Sequence, residues 1–251
     1  MALTFSIITC TWNSGALLDA SIASVLAQDY PHIEYIFVDG GSDDGTLERI
    51  HALRRPFKLI KNVRGGISNA MNAGLRAAGG DVVAYLHSDD YYLHPRVLSE
   101  VARHFENRAC RWLFGRIRQD IGGRLQAERF VAPRYSYARL LRRNFIPHPA
   151  AFVERALMLR AGGFDTGLKY AMDYDLWLKL GRLAAPLQLD EPLAAFRVHA
   201  GSLSTRNRLA AMEEDFRVRL AHAGANPLAL GMHYARYLAR RRRLHHAETP
   251  A

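Results

Sequence analysis

The chain has 251 residues, 49% hydrophobic and 10% aromatic, which is enough to bury a full core and excludes a disordered or fibrous protein. Its two cysteines, Cys10 inside an apolar run and Cys110 without a metal-type partner spacing, argue against a disulfide framework or a zinc site and suit a reducing compartment. The formal net charge is +10, no apolar run approaches the roughly 18 to 20 residues that span a bilayer, and Met1-Ala2-Leu3-Thr4 lacks the start of a signal peptide, so a cytoplasmic protein, soluble or peripheral, is expected.

Strand-like runs over Thr4 to Thr9, Ile33 to Asp39, Phe57 to Lys61 and Asp81 to Leu86 alternate with helical patterns over Ala16 to Ala27, Thr46 to Leu53 and Ile67 to Ala77. Repeated strand-helix units of this kind demand right-handed crossovers and a parallel sheet covered on both faces. After Asp90 the regularity fades into a helix over Arg96 to Phe105, strand-like Trp112 to Ile117 and Arg124 to Val131, and a segment from Arg129 to Arg143 without an acidic residue. Helices then follow over Arg155 to Ala161 and Asp173 to Leu180, a strand-like run over Leu193 to Phe196, and helices over Arg206 to His222 and Leu228 to Arg243, with Gly224 to Pro227 as a hinge. The expected fold is an α/β/α sandwich with a mostly parallel central sheet. Residues 1–95 would form its nucleotide part, 96–204 its acceptor part, and 205–251 a helical basic extension.

That extension holds nine arginines against Glu213, Glu214, Asp215 and Glu248, a local balance of +5. His233, Tyr234, Tyr237 and Leu238 can share a helical face beside Arg236 and Arg240 to Arg243. Such a helix either lies on an anionic membrane surface or packs its tyrosines back onto the domain with the arginines in water. No nucleic-acid-binding signature accompanies it, and no nucleic-acid partner is expected.

Two acidic clusters end apolar strand-like runs: Asp39-Gly40-Gly41-Ser42-Asp43-Asp44 after Ile36 to Val38, and Ser88-Asp89-Asp90 after Val82 to Leu86. In an open parallel sheet ligands bind outside the carboxyl ends of the strands, so both clusters fall on the ligand edge. An ionisable group finishing an apolar strand needs a partner, and Gly40-Gly41 lets backbone N–H groups approach a ligand closely. Ser42, Asp43 and Asp44 serve equally well as caps for the helix from Thr46. Adjacent Asp89 and Asp90 repel unless a cation or donors offset them, and oxygen ligands suit Mg²⁺ or Mn²⁺ carrying a nucleoside diphosphate.

A third acid, Asp173, falls with Leu176, Trp177 and Leu180 on one helical face, so it heads an apolar stripe and should border a pocket. Burial there raises a carboxyl toward the range of a useful base, the helix N-terminus opposes this, and a first-turn acid satisfying free N–H groups is the other reading. Asp175, on another face, reads as such an acid. Arg197, His199 and Ser202 follow a strand and offer donors for a diphosphate, with neutral His199 a weaker candidate metal ligand.

With these residues in place the chain resembles a family 2 glycosyltransferase of the GT-A type from about Phe5 to Ser204. Phe5 to Asn13 is similar to the opening strand and nucleotide-contacting turn, and Val38 to Thr46 to the second nucleotide motif. Gly66 to Gly74 followed by Gly79-Gly80-Asp81 resembles the third-helix pattern, and Ser88-Asp89-Asp90 the metal site. Gly162-Gly163-Phe164-Asp165 and Asp173 to Trp177 resemble the acceptor-side turn and base helix. The resemblance implies an inverting transfer of one sugar from a nucleoside-diphosphate sugar to a hydroxyl of a glycan or lipid-linked acceptor, in envelope or exopolysaccharide assembly. It implies that Asp39 contacts the base, Asp89 the ribose, and Thr9, Thr11, Asn13, Gly66 and Asn69 the rest of the nucleotide. Asp90 would hold Mn²⁺ or Mg²⁺ with His199, Asp173 would be the base, and Arg197, His148 and Ser202 would meet the diphosphate or acceptor.

The sequence departs from the family at Met172, often Glu, at Met71, often Arg, and at Arg197-x-His199, which replaces the signature of processive synthases. A nicotinamide-dependent oxidoreductase is the alternative on fold grounds, but no Gly-x-Gly-x-x-Gly follows the first strand. A non-catalytic protein binding through the basic tail is the other.

Overall fold

The computed structural model describes residues 2–106, 110–128, 130–198, 207–224 and 227–248, the last helix by backbone alone at 227–229 and 242–248. Four parallel strands open the chain: β1 (Phe5–Thr11), β2 (Ile33–Asp39), β3 (Lys58–Ile60) and β4 (Val82–Tyr85). The helices α1 (Leu18–Leu26), α2 (Thr46–His51) and α3 (Ile67–Ala77) connect them as expected. Every residue of β1 is buried, because alternate side chains serve two cores. Ile8, Cys10, Ile36 and Val38 face one layer, which holds α3, α6 (Arg155–Arg160) and α7 (Met172–Leu183). Phe5, Ile7, Tyr35 and Phe37 face the other, which holds α1, α2 and α4 (Val97–Glu106). The α/β/α sandwich follows from this two-sided strand pattern.

The second half adds β5 (Tyr91–Tyr92), β6 (Trp112–Ile121), β7 (Arg124–Ala127), β8 (Ala151–Glu154) and β9 (Leu187–Val198), with the short α5 (Tyr137–Leu140) between β7 and β8. Among the described residues the sheet has nine strands in the order β3-β2-β1-β4-β8-β6-β9-β5, with β7 paired to β6. β8 enters antiparallel to both β4 and β6, so β6 and β9 run with β1 to β4 and six of the nine strands share one direction. Sequence patterning caught only the end of β9, because Asp190-Glu191-Pro192 interrupts it. The interruption coincides with a shift in register, where Phe114 pairs with Gln188 but Arg116 with Pro192.

The C-terminal segment folds as α8 (Arg208–Ala223) and α9 (Pro227–Glu248). Phe216 and Tyr237 stack at 4.3 Å with an interplanar angle of 12°, which joins the two helices. α8 in turn grips α7: His222 Nε2 pairs with Asp175 Oδ1 at 2.8 Å, and Arg182 donates to the His222 carbonyl at 2.7 Å. Of the face predicted for the tail, His233 is buried and Tyr237 partly so, whereas Tyr234 and Leu238 are exposed beside the exposed Arg236, Arg240 and Arg241. Among the described residues no helix is long and apolar enough to cross a membrane.

Candidate active site

The carboxyl ends of all four parallel strands converge on one cleft of about 450 Å³. Thr11 and Trp12 line it from β1, Gly40 from β2, Arg64 and Gly66 from beyond β3, and His87 to Asp89 from beyond β4. Trp12 is 71% exposed, an aromatic face of that size left uncovered at a strand end. Gly40 lies against it, and a Cβ there would meet the Trp12 side chain at 3.5 Å, an ordinary contact. The N-terminus of α3 opens on the same cleft with no side chain capping it, and Gly66, at φ +88°, supplies the backbone bend.

Asp39 is fully buried and committed to the turn behind the cleft. Its Oδ1 accepts from the Gly41 and Ser42 N–H groups at 2.8 and 2.9 Å, and its Oδ2 from the Ser42 and Thr11 hydroxyls at 2.6 and 2.9 Å. Burial pushes its pKa up, but these donors outweigh it and hold the carboxyl below its ordinary value. Asp44 has the capping role foreseen for it, accepting from Gly15 N–H at 2.9 Å and from Thr46 at the front of α2.

Asp90 is 2% exposed and accepts from the Arg197 N–H at 3.2 Å. Burial, then the neighbouring Asp89, lift its pKa well above the ordinary carboxyl value, against the pull of Arg197. Two adjacent carboxylates form a hard oxygen donor set that fits a divalent cation. Among the described residues no group of three or more His, Cys, Asp or Glu forms that could hold a metal ion.

Asp173 stands in the first turn of α7, half-buried. Its Oδ1 accepts from the Tyr174 N–H at 2.7 Å and its Oδ2 from Asn144 Nδ2 at 3.2 Å. Burial raises its pKa to about 6, the two hydrogen bonds pull down, and nearby Asp215 pushes up. The turn before α7 is fixed from α8, where Glu214, 5% exposed, accepts from the N–H groups of Lys169 at 3.0 Å, Ala171 at 2.7 Å and Tyr170. Asp175 pairs with Lys179 at 2.6 Å as well as with His222, and these partners hold its carboxyl below the ordinary value despite burial. It therefore ties helices together and is no simple first-turn acid.

One segment links the base region to the cleft. Asn144 holds Asp173, and four residues on His148 stacks on His87 at 4.8 Å with an interplanar angle of 7°. A second link runs through α3: Asn72 exchanges two hydrogen bonds with Phe164, at 2.7 and 2.9 Å, and so docks the Gly162 to Asp165 turn against the helix that borders the cleft.

Several predicted contacts lie elsewhere. Thr9 is buried inside the sheet with its hydroxyl donating to the Leu86 carbonyl at 2.7 Å, two residues short of the edge it was assigned to. Asn13, at φ +49°, accepts from the Asp43 N–H at 3.0 Å and braces two loops, and Asn69 donates to the Arg64 carbonyl. Arg197 turns its guanidinium to Asp120 at 3.5 Å and over the Tyr91 ring, while its backbone N–H and its charge act on Asp90. His148 is wedged among His87, Trp177, Phe164 and Tyr85, where burial and then His87 push its pKa well below the ordinary value; a neutral ring so enclosed does not serve a diphosphate as a cation. Thr11, Gly66 and Asp89 do line the cleft. His199 and Ser202 lie outside the described residues. Trp12, Arg64, Asn144 and Glu214 were not anticipated; of these only Trp12, a bulky aromatic just past a buried strand, carried a sequence signal.

An α/β/α sandwich with a cleft and an acidic pair at the ends of its parallel strands is the arrangement of the GT-A glycosyltransferases. The sequence pattern of glycosyl transferase family 2 matches residues 6–161, and the chain belongs to that family. It is 30% identical over 200 residues to an uncharacterized glycosyltransferase of Mycobacterium tuberculosis, covering 78% of this chain and 75% of that one. Its fold is similar to that of S. aureus TarS 1–349 in complex with UDP-GlcNAc, with a TM-score of 0.72, 21% identity, and 94% of this chain and 72% of that one covered. It is also similar to the mannosyltransferase PcManGT from Pyrobaculum calidifontis in complex with GDP-Man and Mn²⁺, with a TM-score of 0.66, 19% identity, and coverage of 100% and 77%.

Proposed function

We propose that this glycosyltransferase inverts the anomeric centre as it moves one sugar from a nucleoside-diphosphate sugar to an acceptor hydroxyl, with Asp173 as the base. The observation that carries this is Asp173 itself, a half-buried carboxyl at the head of α7 whose pKa is raised to about 6. Residues 1–95 take the donor and 96–204 the acceptor. The base rests against Trp12, and the uncapped front of α3 with Arg64 faces the diphosphate. Asp90, beside Asp89 at the ribose, would hold Mg²⁺ or Mn²⁺, which would supply positive charge to a departing diphosphate. Asn144 orients Asp173, which takes the acceptor proton as the oxygen attacks the anomeric carbon from the face opposite the leaving group. Envelope or exopolysaccharide assembly is the proposed setting, with a glycan or lipid-linked acceptor, by analogy with the family.

The test is a thermal-shift panel of nucleotide sugars with and without Mn²⁺, followed by NMR of the product formed from the best donor. A metal-dependent shift and inverted anomeric configuration are expected. A retained configuration would remove Asp173 from the role of base in a single displacement.

A further inference from the structure

Beside Asp173 lies a group of arginines that the reaction so far leaves without a task. Arg219 of α8 is only 7% exposed, yet its contacts are poor: Nη2 stands 3.8 Å from Asp215, Nη1 donates to the Arg142 carbonyl at 3.5 Å, and Nε is buried with no acceptor. A guanidinium removed from water with its hydrogen bonds largely unmade is destabilising unless an anion completes it. Arg143 and Arg240 also act on Asp215, and Arg142 and Arg236 join Arg219 in acting on His233, itself 1% exposed with Nδ1 unpartnered.

The acids facing this group are Glu128, on which Arg143 acts, Asp215 and Glu214. The last is already bound to three backbone N–H groups before α7, so it offers the arginines little. Arg219, Arg143 and Arg240 thus act on Asp215, the carboxylate next to Asp173, and Arg142 and Arg236 join Arg219 about His233. Arg142, Arg143, Arg236 and Arg240 are exposed at the rim while Arg219 forms the floor, so an anion from solvent can reach all of them. Arg143 is held in place across the Phe130 ring, 3.8 Å from its centroid. Several planar forks converging from the turn after α5, from α8 and from α9 match the many oxygens of a phosphate better than the two of a carboxylate.

We propose that this cluster binds a phosphate group of the acceptor and so brings the adjoining hydroxyl to Asp173, an inference that rests on the reading of Asp173 as the base. Phosphate of this kind is carried either by a lipid headgroup or by a soluble phosphorylated glycan.

Calorimetry on the full chain with inorganic pyrophosphate, in the absence of divalent cations, tests the site. Wild type is expected to bind, and Arg219→Gln, Arg142→Gln and Arg143→Gln each to weaken binding about tenfold or more. Asp90→Asn is expected to leave it unchanged, and the arginine variants to keep wild-type thermal stabilisation by nucleoside diphosphate with Mn²⁺. If Arg219→Gln fails to fold, the two exposed positions decide. Absence of pyrophosphate binding in wild type, wild-type affinity in the arginine variants, or loss in Asp90→Asn alone would overturn the site. Loss of nucleotide binding with pyrophosphate binding retained would instead remove the transferase reading and leave the anion site standing. Cosedimentation with phosphatidylglycerol vesicles identifies the source: loss in the same variants of both ligands assigns a lipid-borne phosphate, and loss of pyrophosphate alone a soluble one. Loss of vesicle binding with pyrophosphate affinity intact would count against the proposal.

Discussion

Asp173 is raised from 3.8 to about 6 chiefly by burial, and two consequences of opposite kind follow. Turnover needs the carboxylate, so kcat should rise with pH through about 6 and level off above it. Stability runs the other way. A carboxyl whose pKa is higher folded than unfolded binds a proton more readily in the folded state, so folding is penalised as the proton leaves. The penalty is absent below about 3.8, grows between 3.8 and 6, and is complete above 6. Asp173→Asn should therefore lower turnover by roughly 10² to 10⁴ while leaving donor affinity unchanged. It should also raise the melting temperature at pH 7.5, a gain that shrinks toward pH 4; a lowered melting temperature at pH 7.5 would show that the carboxylate stabilises the fold. Asp90→Asn belongs with a different loss, abolishing Mn²⁺-dependent stabilisation by nucleoside diphosphates, and wild-type turnover at limiting Mn²⁺ would strike Asp90 from the ligands. These acids were legible because each ends an apolar run or stripe, where a charge requires a reason. Thr9, Asn13, Asn69 and Arg197 were misplaced because sequence gives position along a strand or loop but not the direction of a side chain. The Thr9 hydroxyl, two residues before the end of β1, turns inward to the Leu86 carbonyl.

At the scale of elements, the orientation of α7 depends on α8. Glu214 accepts from the three consecutive N–H groups of Lys169, Tyr170 and Ala171, and no other side chain replaces it at the cap of the helix. Glu214→Ala would leave buried N–H groups unpaired, at a cost of about 1–3 kcal/mol for each that water does not reach. Expected are a fall in melting temperature and a fall in kcat with the donor KM unchanged, because the cleft lies at the other end of the Asn144 to His148 link. A rise in donor KM of the same size as the loss in kcat would mean that Glu214 supports the donor side instead. Helices α1 to α3 and strands β1 to β4 could be read from the sequence because their periodicities are clean and glycines punctuate them. β5 and β8 escaped notice because both lie past Asp89, where the strand-helix alternation ends: β5 has only two residues, and β8 pairs antiparallel with both β4 and β6.

For the molecule as a whole, the basic charge of the tail was plain in the composition, but where it would lie was not. The Phe216–Tyr237 stack places α9 against α8, which in turn pairs with α7 through His222 and Asp175, so of the two readings of the tail Tyr237 follows the packed one. Truncation of residues 225–251 should uncover Phe216 and lower the melting temperature, and also cut activity, while nucleotide-dependent stabilisation persists; an unchanged melting temperature would show α9 to be dispensable for packing. The four-strand layer and its cleft are complete by Asp89, whereas the base and the helices that hold it all come after Arg155. The two groups of residues share one buried apolar layer, with Ile8, Val38 and Met71 in the same cluster as Leu157, Phe164 and Met172, and are joined by a few directed contacts, Asn72 with Phe164, Ser68 with the Leu168 carbonyl, and His87 with His148. On the proposed division of labour, such a chain is open to recombination. A graft that joins the front of this chain to the rear of a relative inherits its donor from one parent and its acceptor from the other, provided the shared layer and those contacts travel together.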